Sequence, residues 1–393
     1  MNVLYLTTVY PGHKKTGGDI GTQRYVDALM RCGAHVDLVA FLRRGDPKPS
    51  RDWEHIAEER SIETAMSGAH VLGWMLRSFA SGEAYSTAKY HSRAYVNTVR
   101  RLLTSKSYSL VVLDHPSRLL WLRPILPPDV PVVANTHNIE HRLYERLRDS
   151  SGGRLGWLKR LIYAREARLV KQAEDSLGSF ANEIWAVSAS DGEYYAQAPG
   201  GAGLRAFETP PGDFALPDPW PAKRFDIGLI GNWSWTANRE SLDWFLDAVL
   251  PHLPAALTIE IAGRGADDVA ARYPRVRVQG FVRDAAEFVA EARVIAIPTL
   301  SGAGVQIKTL DSLAVGTRMV ATPFAVLGIR DLPPTVRISS DPREYAQLLA
   351  DTAGISDEAP DTRALQWADA MRMQYSDAIA NALADLDGAA GAS

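Results

Sequence analysis

The stretch ARVIAIPTLSGAGVQIKTLDSLAVG (292–316) runs from an apolar segment through a small-residue hinge into an amphipathic one. Its first eight residues are rich in Val and Ile, as in a strand buried on both faces of a parallel sheet. Its last ten carry apolar side chains at helical spacing and stop at Gly316, a helix-ending residue. A strand-to-helix turn of this kind points the backbone N–H groups of Gly302, Ala303, Gly304 and Val305, and the positive end of a helix dipole, at one place. Lys308, in the first helical turn, adds a full positive charge suited to a diphosphate. Asp311 follows three residues later on the same face, where a carboxylate can accept the two hydroxyls of a ribose. A plain structural turn with a surface salt bridge would use the same residues, and the stretch alone leaves both readings open.

The same strand–helix alternation extends in both directions. Residues 3–9, 35–41, 109–115, 130–137 and 183–190 read as buried strands, with amphipathic segments such as TQRYVDALMRCG (22–33) between them. Residues 199–223 are dense in Pro and Gly and read as a linker. The alternation then restarts with strands at 225–233, 256–265, 275–281, 292–299, 318–324 and 335–340. The expected fold class is therefore α/β, with two doubly wound Rossmann-like domains facing each other across a cleft. The boundaries expected are 1–210 for the first domain and 220–363 for the second, with a helix over about 364–386 returning to the first. Ligands of such sheets bind beyond the carboxyl ends of the strands, which places the expected site in that cleft.

Composition narrows the class. The 393 residues are 46% hydrophobic and 23% charged, ordinary for a globular protein. A single cysteine, Cys32, excludes an internal disulfide and suits a reducing compartment. The N-terminal MNVLYLTTVYPG reads as a strand and turn rather than a secretory signal. No apolar run approaches the roughly 18 residues of a membrane span. The net charge of −3 divides unevenly: residues 1–200 hold 26 Lys and Arg against 21 Asp and Glu, and the remainder 17 against 25. A basic first half suits an anionic surface or an anionic acceptor, or reflects drift in surface composition. A cytoplasmic location is expected, with peripheral contact at the inner face of a membrane open, and no nucleic-acid partner.

Beyond the linker the blocks IGLIGNWSWTANRESLDWFLDAVLP (227–251), IEIAGRG (259–265), VQGFVRDAAEFVAEARVIAIPTLSGAGVQIKTLDSLAVGTRMVAT (278–322) and AVLGI (325–329) resemble, in order and spacing, the GT-B glycosyltransferases of the glycosyltransferase 4, or group 1, type. In the first domain TGGDIGTQRYVDAL (16–29), ANTHNIEHRLYERL (134–147) and AVSASDGEYY (186–195) agree more loosely. The resemblance implies a retaining glycosyltransferase (EC 2.4) that takes a nucleotide-diphosphate sugar as donor and needs neither metal nor cofactor. The acceptor would be a glycan or a lipid-linked molecule, in cell-surface polysaccharide synthesis. Carried over position by position, Gly17 and Gly18 match the loop that approaches donor diphosphate and acceptor, and Phe281 and Val282 the segment that brackets the base. Gly302 to Gly304, with Val305, match the loop under sugar and phosphates, Lys308 a phosphate-neutralising cation, and Asp311 the ribose carboxylate.

The pattern departs from the family's two glutamates eight positions apart, which are here Ala303 and Asp311. The first departure also marks a glycine-loop branch of the family, which this sequence follows more closely. That branch commonly places an arginine where Gln306 stands, and Arg239 and Arg264 are candidates to supply the missing cation. These departures keep two alternatives in view: a degenerate GT-B subunit that partners an active transferase, and a nucleotide-sugar epimerase.

His137-Asn138-Ile139-Glu140-His141 also spells a zinc-peptidase pattern, H-x-x-E-H. His137 ends a predicted strand, so the two imidazoles need not share a helical face, and no third ligand stands in a matching context. The resemblance instead puts His137 at the carboxyl end of the strand, facing the cleft, where an imidazole can hydrogen-bond the donor sugar. RLGWLKRLIYAREARLVKQAEDSL (154–177) is a basic amphipathic helix, expected to pack by its Leu/Ile/Tyr stripe; a membrane-surface role is the alternative. Trp53, Trp74, Tyr85 and Tyr90 are candidates for an acceptor pocket. The only D-x-D, Asp385-Leu386-Asp387, falls in the C-terminal tail, away from any site expected to hold metal.

Overall fold

The computed structural model describes all residues except 15, 62–67, 69, 154–155, 214, 302–304, 356–358 and 392–393. The chain divides into two compact units, Met1–Phe207 with Ser376–Ser393, and Glu208–Tyr375. The long last helix, Thr362–Gly391, contributes its start to the second unit and its remainder to the first.

The first unit holds a seven-stranded sheet in the order β3-β2-β1-β4-β5-β6-β7, all pairs parallel. Its strands are β1 (Asn2–Val9), β2 (His35–Arg43), β3 (Glu54–Arg60), β4 (Leu110–Asp114), β5 (Val132–Asn135), β6 (Glu183–Ala186) and β7 (Gly203–Ala206). The central strands are buried on both faces, which is why they read as continuous Val/Ile/Leu runs. Two strands have no such signature. β3 is an edge strand, EHIAEER, whose side chains are hydrogen-bonded more than packed: His55 to Asp37 at 2.7 Å, Ser92 to Glu58 at 2.6 Å and Tyr10 to Glu54 at 3.0 Å. β7 lies within the stretch read as a linker and is tied to β6 by the bidentate Arg205–Glu183 pair at 2.9 Å.

The second unit repeats the plan with six parallel strands, in the order β10-β9-β8-β11-β12-β13. They are β8 (Phe225–Ile230), β9 (Ile259–Ala262), β10 (Val276–Gly280), β11 (Ala292–Ile297), β12 (Arg318–Ala321) and β13 (Val336–Ile338). Apolar clusters cover both faces of this sheet, one around Phe245 and Tyr345, the other around Phe288 and Leu313. The turns after β8 and β9 touch backbone to backbone. A Cβ on Gly263, whose φ is +115°, would meet the Gly231 carbonyl at 1.7 Å, so only glycine fits.

The helix expected over 154–177 is present as Gly156–Asp175, but its first two turns do not pack as expected. Leu158, Leu161 and Ile162 are exposed, while the buried side is made by Glu166, Ala167, Val170 and Glu174. The stripe fails to pack because buried hydrogen bonds set the inward face: the Glu166 carboxylate accepts Tyr85 N–H and Ser86 N–H, each at 2.8 Å. Tyr90, a candidate pocket residue, is a core side chain instead, packed near Phe41.

Candidate active site

In each sheet the chain order reverses direction between two neighbours, β1/β4 in the first unit and β8/β11 in the second. These are the switch points where α/β sheets leave a crevice for ligands. The candidate residues gather at both.

In the first unit, β1 leads to the helix Gly17–Arg31. Thr16 and Asp19 cap it reciprocally, and Arg43 holds the Asp19 carboxylate at 2.9 Å. Gly17 and Gly18 therefore occupy the first helical positions, where backbone N–H groups have no partner within the helix. β4 ends in Asp114, which is fully buried, and β5 leads into His137. His137 Nε2 lies 2.6 Å from Asp114 Oδ1. Asp114 accepts four further hydrogen bonds, from Tyr5, Thr7, Thr22 and Asn135, at 2.7–2.9 Å. An ionised carboxylate only accepts, so it fixes the His137 tautomer with the proton on Nε2 and leaves Nδ1 as the ring's other polar atom.

Burial alone would raise the Asp114 pKa. The His137 and His115 charges and the hydrogen bonds outweigh it and hold the carboxyl well below the usual carboxylate range. His115 stacks on His137, with ring centroids 4.3 Å apart, and sits at φ +54°, a strained backbone for a non-glycine residue. Burial, followed by the neighbouring His137, pushes its pKa down. Two glycines make the arrangement possible. Gly18 lies beside His115, and a Cβ on Gly21 would meet the His137 ring at 3.2 Å.

This geometry corrects the H-x-x-E-H reading. His137 turns to Asp114, His141 to Glu174 at 2.6 Å, and Glu140 to Ser117 and Arg118 at 3.1 Å, so the three side chains have separate partners. Among the described residues the group spaced for a metal ion is Asp114, His115 and His137. Both Asp114 oxygens are already taken by five donors, which makes the group a hydrogen-bonded His–Asp pair rather than an open set of ligands.

In the second unit, Lys308 stands in the first turn of the helix Ile307–Val315, after β11. Its Nζ donates to Asn238 Oδ1 at 3.0 Å, and Asn238 belongs to the helix Thr236–Trp244 after β8. The pair thus spans the switch point. Among the described residues no carboxylate pairs with Lys308, and burial lowers its pKa to about 8. A half-buried cation without a counter-ion suits an anionic ligand.

Towards the other edge, Arg264 after β9 lies over the Phe281 ring after β10, with Cζ 4.8 Å from the centroid. Phe281 is 66% exposed and so offers a stacking surface. Val282 and Val305 are partly buried against the core near these turns. Asp311 accepts the Gly212 N–H at 2.8 Å, and Arg372 donates to the Gly212 carbonyl at 2.7 Å, so the carboxylate anchors the segment that enters this unit. Gly302, Ala303 and Gly304 lie outside the described residues.

Arg239 does not supply the missing cation. Its guanidinium is engaged by Asp268, in two bonds of 2.7 Å, and by Asp243 at 3.1 Å. The structure thus brings together Gly17, Gly18 and His137 in one unit, and Lys308, Arg264 and Phe281 along one sheet edge in the other. It adds Asp114, His115, Thr22 and Asn238, which the sequence reading missed. Asp114-His115 does leave a trace in the sequence, a charged pair closing the apolar run SLVVL.

Residues 224–352 match the family model described as glycosyl transferases group 1. Over most of its length the chain is similar to several solved structures. With Anabaena HepE in complex with UDP it shares 15% identity at a TM-score of 0.61, covering 98% of this chain and 100% of that one. With the lipopolysaccharide outer core galactosyltransferase WaaB the values are 13% and 0.59, covering 98% and 99%. With WaaG, a glycosyltransferase involved in lipopolysaccharide biosynthesis, they are 16% and 0.56, covering 96% and 95%. No curated protein sequence matches the chain significantly. The structural likeness establishes the GT-B fold. The class defined is thus a GT-B protein whose second unit is a group 1 glycosyl transferase domain, and the expected class, glycosyltransferase, holds.

Proposed function

We propose that the protein is a retaining glycosyltransferase that takes a nucleotide-diphosphate sugar and needs no metal to transfer the sugar to a glycan or lipid-linked acceptor. Cell-surface polysaccharide synthesis is the setting, and the glycine-loop branch of the family the assignment. The observation that carries the reading is Lys308: a cation without a carboxylate partner among the described residues, at the switch point of the group 1 domain. Four adjacent strands, β10 to β11, separate Phe281 from Lys308 in the sheet order. At about 4.8 Å per spacing that is about 14 Å, a distance suited to a base at one end and a diphosphate at the other. UDP-sugars are the first donors to try, because HepE and the S. aureus transferase TarM were each solved with UDP.

In this reading Lys308 and the amides at its helix end stabilise the charge that develops on the leaving diphosphate, the largest demand of the reaction. Arg264 and Phe281, with Val282, bracket the base. Asp311 must exchange its bond to Gly212 for the ribose, or act through that bond. In the first unit His137, held by Asp114, presents Nδ1 to a sugar hydroxyl, and Gly17 and Gly18 leave room for donor phosphate and acceptor. The acceptor oxygen attacks the anomeric carbon on the face the diphosphate leaves, and the departing phosphate takes its proton. A product whose anomeric configuration is inverted would exclude this course.

The first experiment is a thermal-shift series with UDP, GDP, TDP and their common sugars, with and without EDTA. Stabilisation by one nucleotide class, indifferent to EDTA, supports the reading. Silence from every nucleotide favours a degenerate subunit, and donor consumption without acceptor favours an epimerase.

A further inference from the structure

We propose that the outward faces of the helices His70–Ser81 and Gly156–Asp175 form one surface that docks on the headgroup layer of an anionic bilayer. Through the transferase reading, on which this link rests, the acceptor is then a sugar carried on a membrane lipid.

The surface is apolar where a solvated helix should be polar. Leu72, Leu76 and Phe79 expose 63%, 63% and 64% of their area, and Trp157 and Leu161 expose 64% and 61%. Positions 72, 76 and 79 recur at helical spacing, so they form one stripe, as do 157 and 161. The two stripes belong together because Arg165 joins the helices. It donates to Ser78 Oγ and Ser78 O at 2.9 and 2.8 Å, and its guanidinium lies 4.4 Å from the Phe79 ring centroid. An exposed apolar area of this extent marks an interaction surface.

Charge identifies the occupant. Arg77, Lys159, Arg160 and Arg168 stand among or beside these apolar residues, and 70–81 contains no acid. The first acid of the second helix, Glu166, is buried and already accepts two backbone N–H groups. Among the described residues no carboxylate pairs with Lys159 or Arg168. A second copy meeting this face by a two-fold axis would bring like charges together. An anionic headgroup layer instead neutralises the cations while the apolar side chains enter the acyl boundary. No helix of the described chain is long and apolar enough to cross a membrane, so the contact is interfacial. The surface also adjoins the candidate site: Gly156–Asp175 packs on Glu140–Asp149, which starts three residues after His137.

The test is sedimentation of the full chain with phosphatidylcholine vesicles, alone or with 30% phosphatidylglycerol (about that fraction suffices to give a strong surface potential). Binding to the anionic vesicles that weakens with salt is expected. Leu72→Ser/Leu76→Ser/Phe79→Ser and Trp157→Ser/Leu161→Ser should each lower vesicle affinity by at least about tenfold. Lys159→Glu/Arg160→Glu should remove the preference for anionic lipid. Absence of binding, equal binding by the variants, or a dimer that these variants dissolve would each overturn the proposal. Stabilisation by UDP, measured on the same proteins, separates the two readings. Vesicle binding without a nucleotide response keeps the surface and removes the donor assignment.

Discussion

Lys308 Nζ reaches across the β8/β11 switch point to Asn238 Oδ1 at 3.0 Å, its one printed polar contact being a neutral amide. A cation so placed costs stability in the unliganded protein and is compensated when an anion arrives. Lys308→Ala is expected to lower turnover by about 10²-fold or more, as removal of one charge-stabilising donor commonly does. Lys308→Met should leave the unliganded protein as stable at pH 7 as the parent, or more stable by roughly 1–2 kcal/mol, because the desolvated charge is gone. Steady-state kinetics and chemical denaturation check the two effects. An unchanged rate would remove Lys308 from the phosphate site.

The same group sets a pH dependence. Burial lowers the Lys308 pKa to about 8, below the ordinary lysine value. The unfolded chain therefore binds more protons than the folded one between about pH 8 and the ordinary value, about 10.4, and this group's contribution to stability rises with pH across that window. Nucleotide affinity runs the other way. The anion meets a charged Lys308 below pH 8 and a neutral one above it, so UDP affinity should fall as pH rises from 7 to 9. Calorimetric titration at three pH values measures it, and in Lys308→Met the slope should flatten.

Asp114 gives the opposite sign on the acid side. Its carboxyl is held below the usual range, so the stability it contributes is present above about pH 4, the unfolded carboxylate value, and is lost as pH falls below it. Asp114→Asn replaces an acceptor of five hydrogen bonds by a group that must also donate. A loss of about 2–4 kcal/mol is expected from a buried, hydrogen-bonded charge so disturbed. Asp114→Asn should also release the His137 tautomer, so activity should fall further than His137→Gln alone explains. Urea denaturation at pH 4 and pH 7, with activity at pH 7, distinguishes the two effects.

The fold was legible wherever burial made a strand apolar on both faces. β1, β2, β4, β5 and β6, and all six strands of the second sheet, lie within runs such as SLVVLDH and ARVIAIPT. β3 and β7 were not, because edge strands meet solvent or polar partners, and their residues reflect those hydrogen bonds more than a core. Lys308 and His137 could be picked out because each follows a strand at a point where charge is costly. Asp114 could not be paired with His137, since 23 residues separate partners that only the β4–β5 pairing brings together. The exposed faces of 70–81 and 156–175 were hidden for the converse reason: an apolar stripe reads as core until burial shows that nothing covers it.

Gly21 offers the most selective probe of the first unit. It lies inside the helix Gly17–Arg31, where alanine alone should stabilise by about 0.5–1 kcal/mol. Here the new Cβ would meet His137 Nδ1 at 3.2 Å and Cε1 at 3.3 Å, tighter than ordinary contact. The ring must yield, and the atoms displaced are the ones assigned to the sugar. Gly21→Ala should therefore keep its melting temperature within a few degrees of the parent while turnover falls by about tenfold or more, as misplacement of a positioned group does. Stabilisation by UDP should persist, since the donor nucleotide is assigned to Lys308 and Phe281 in the other unit. If turnover and stability both match the parent, His137 does not contact the reacting sugar.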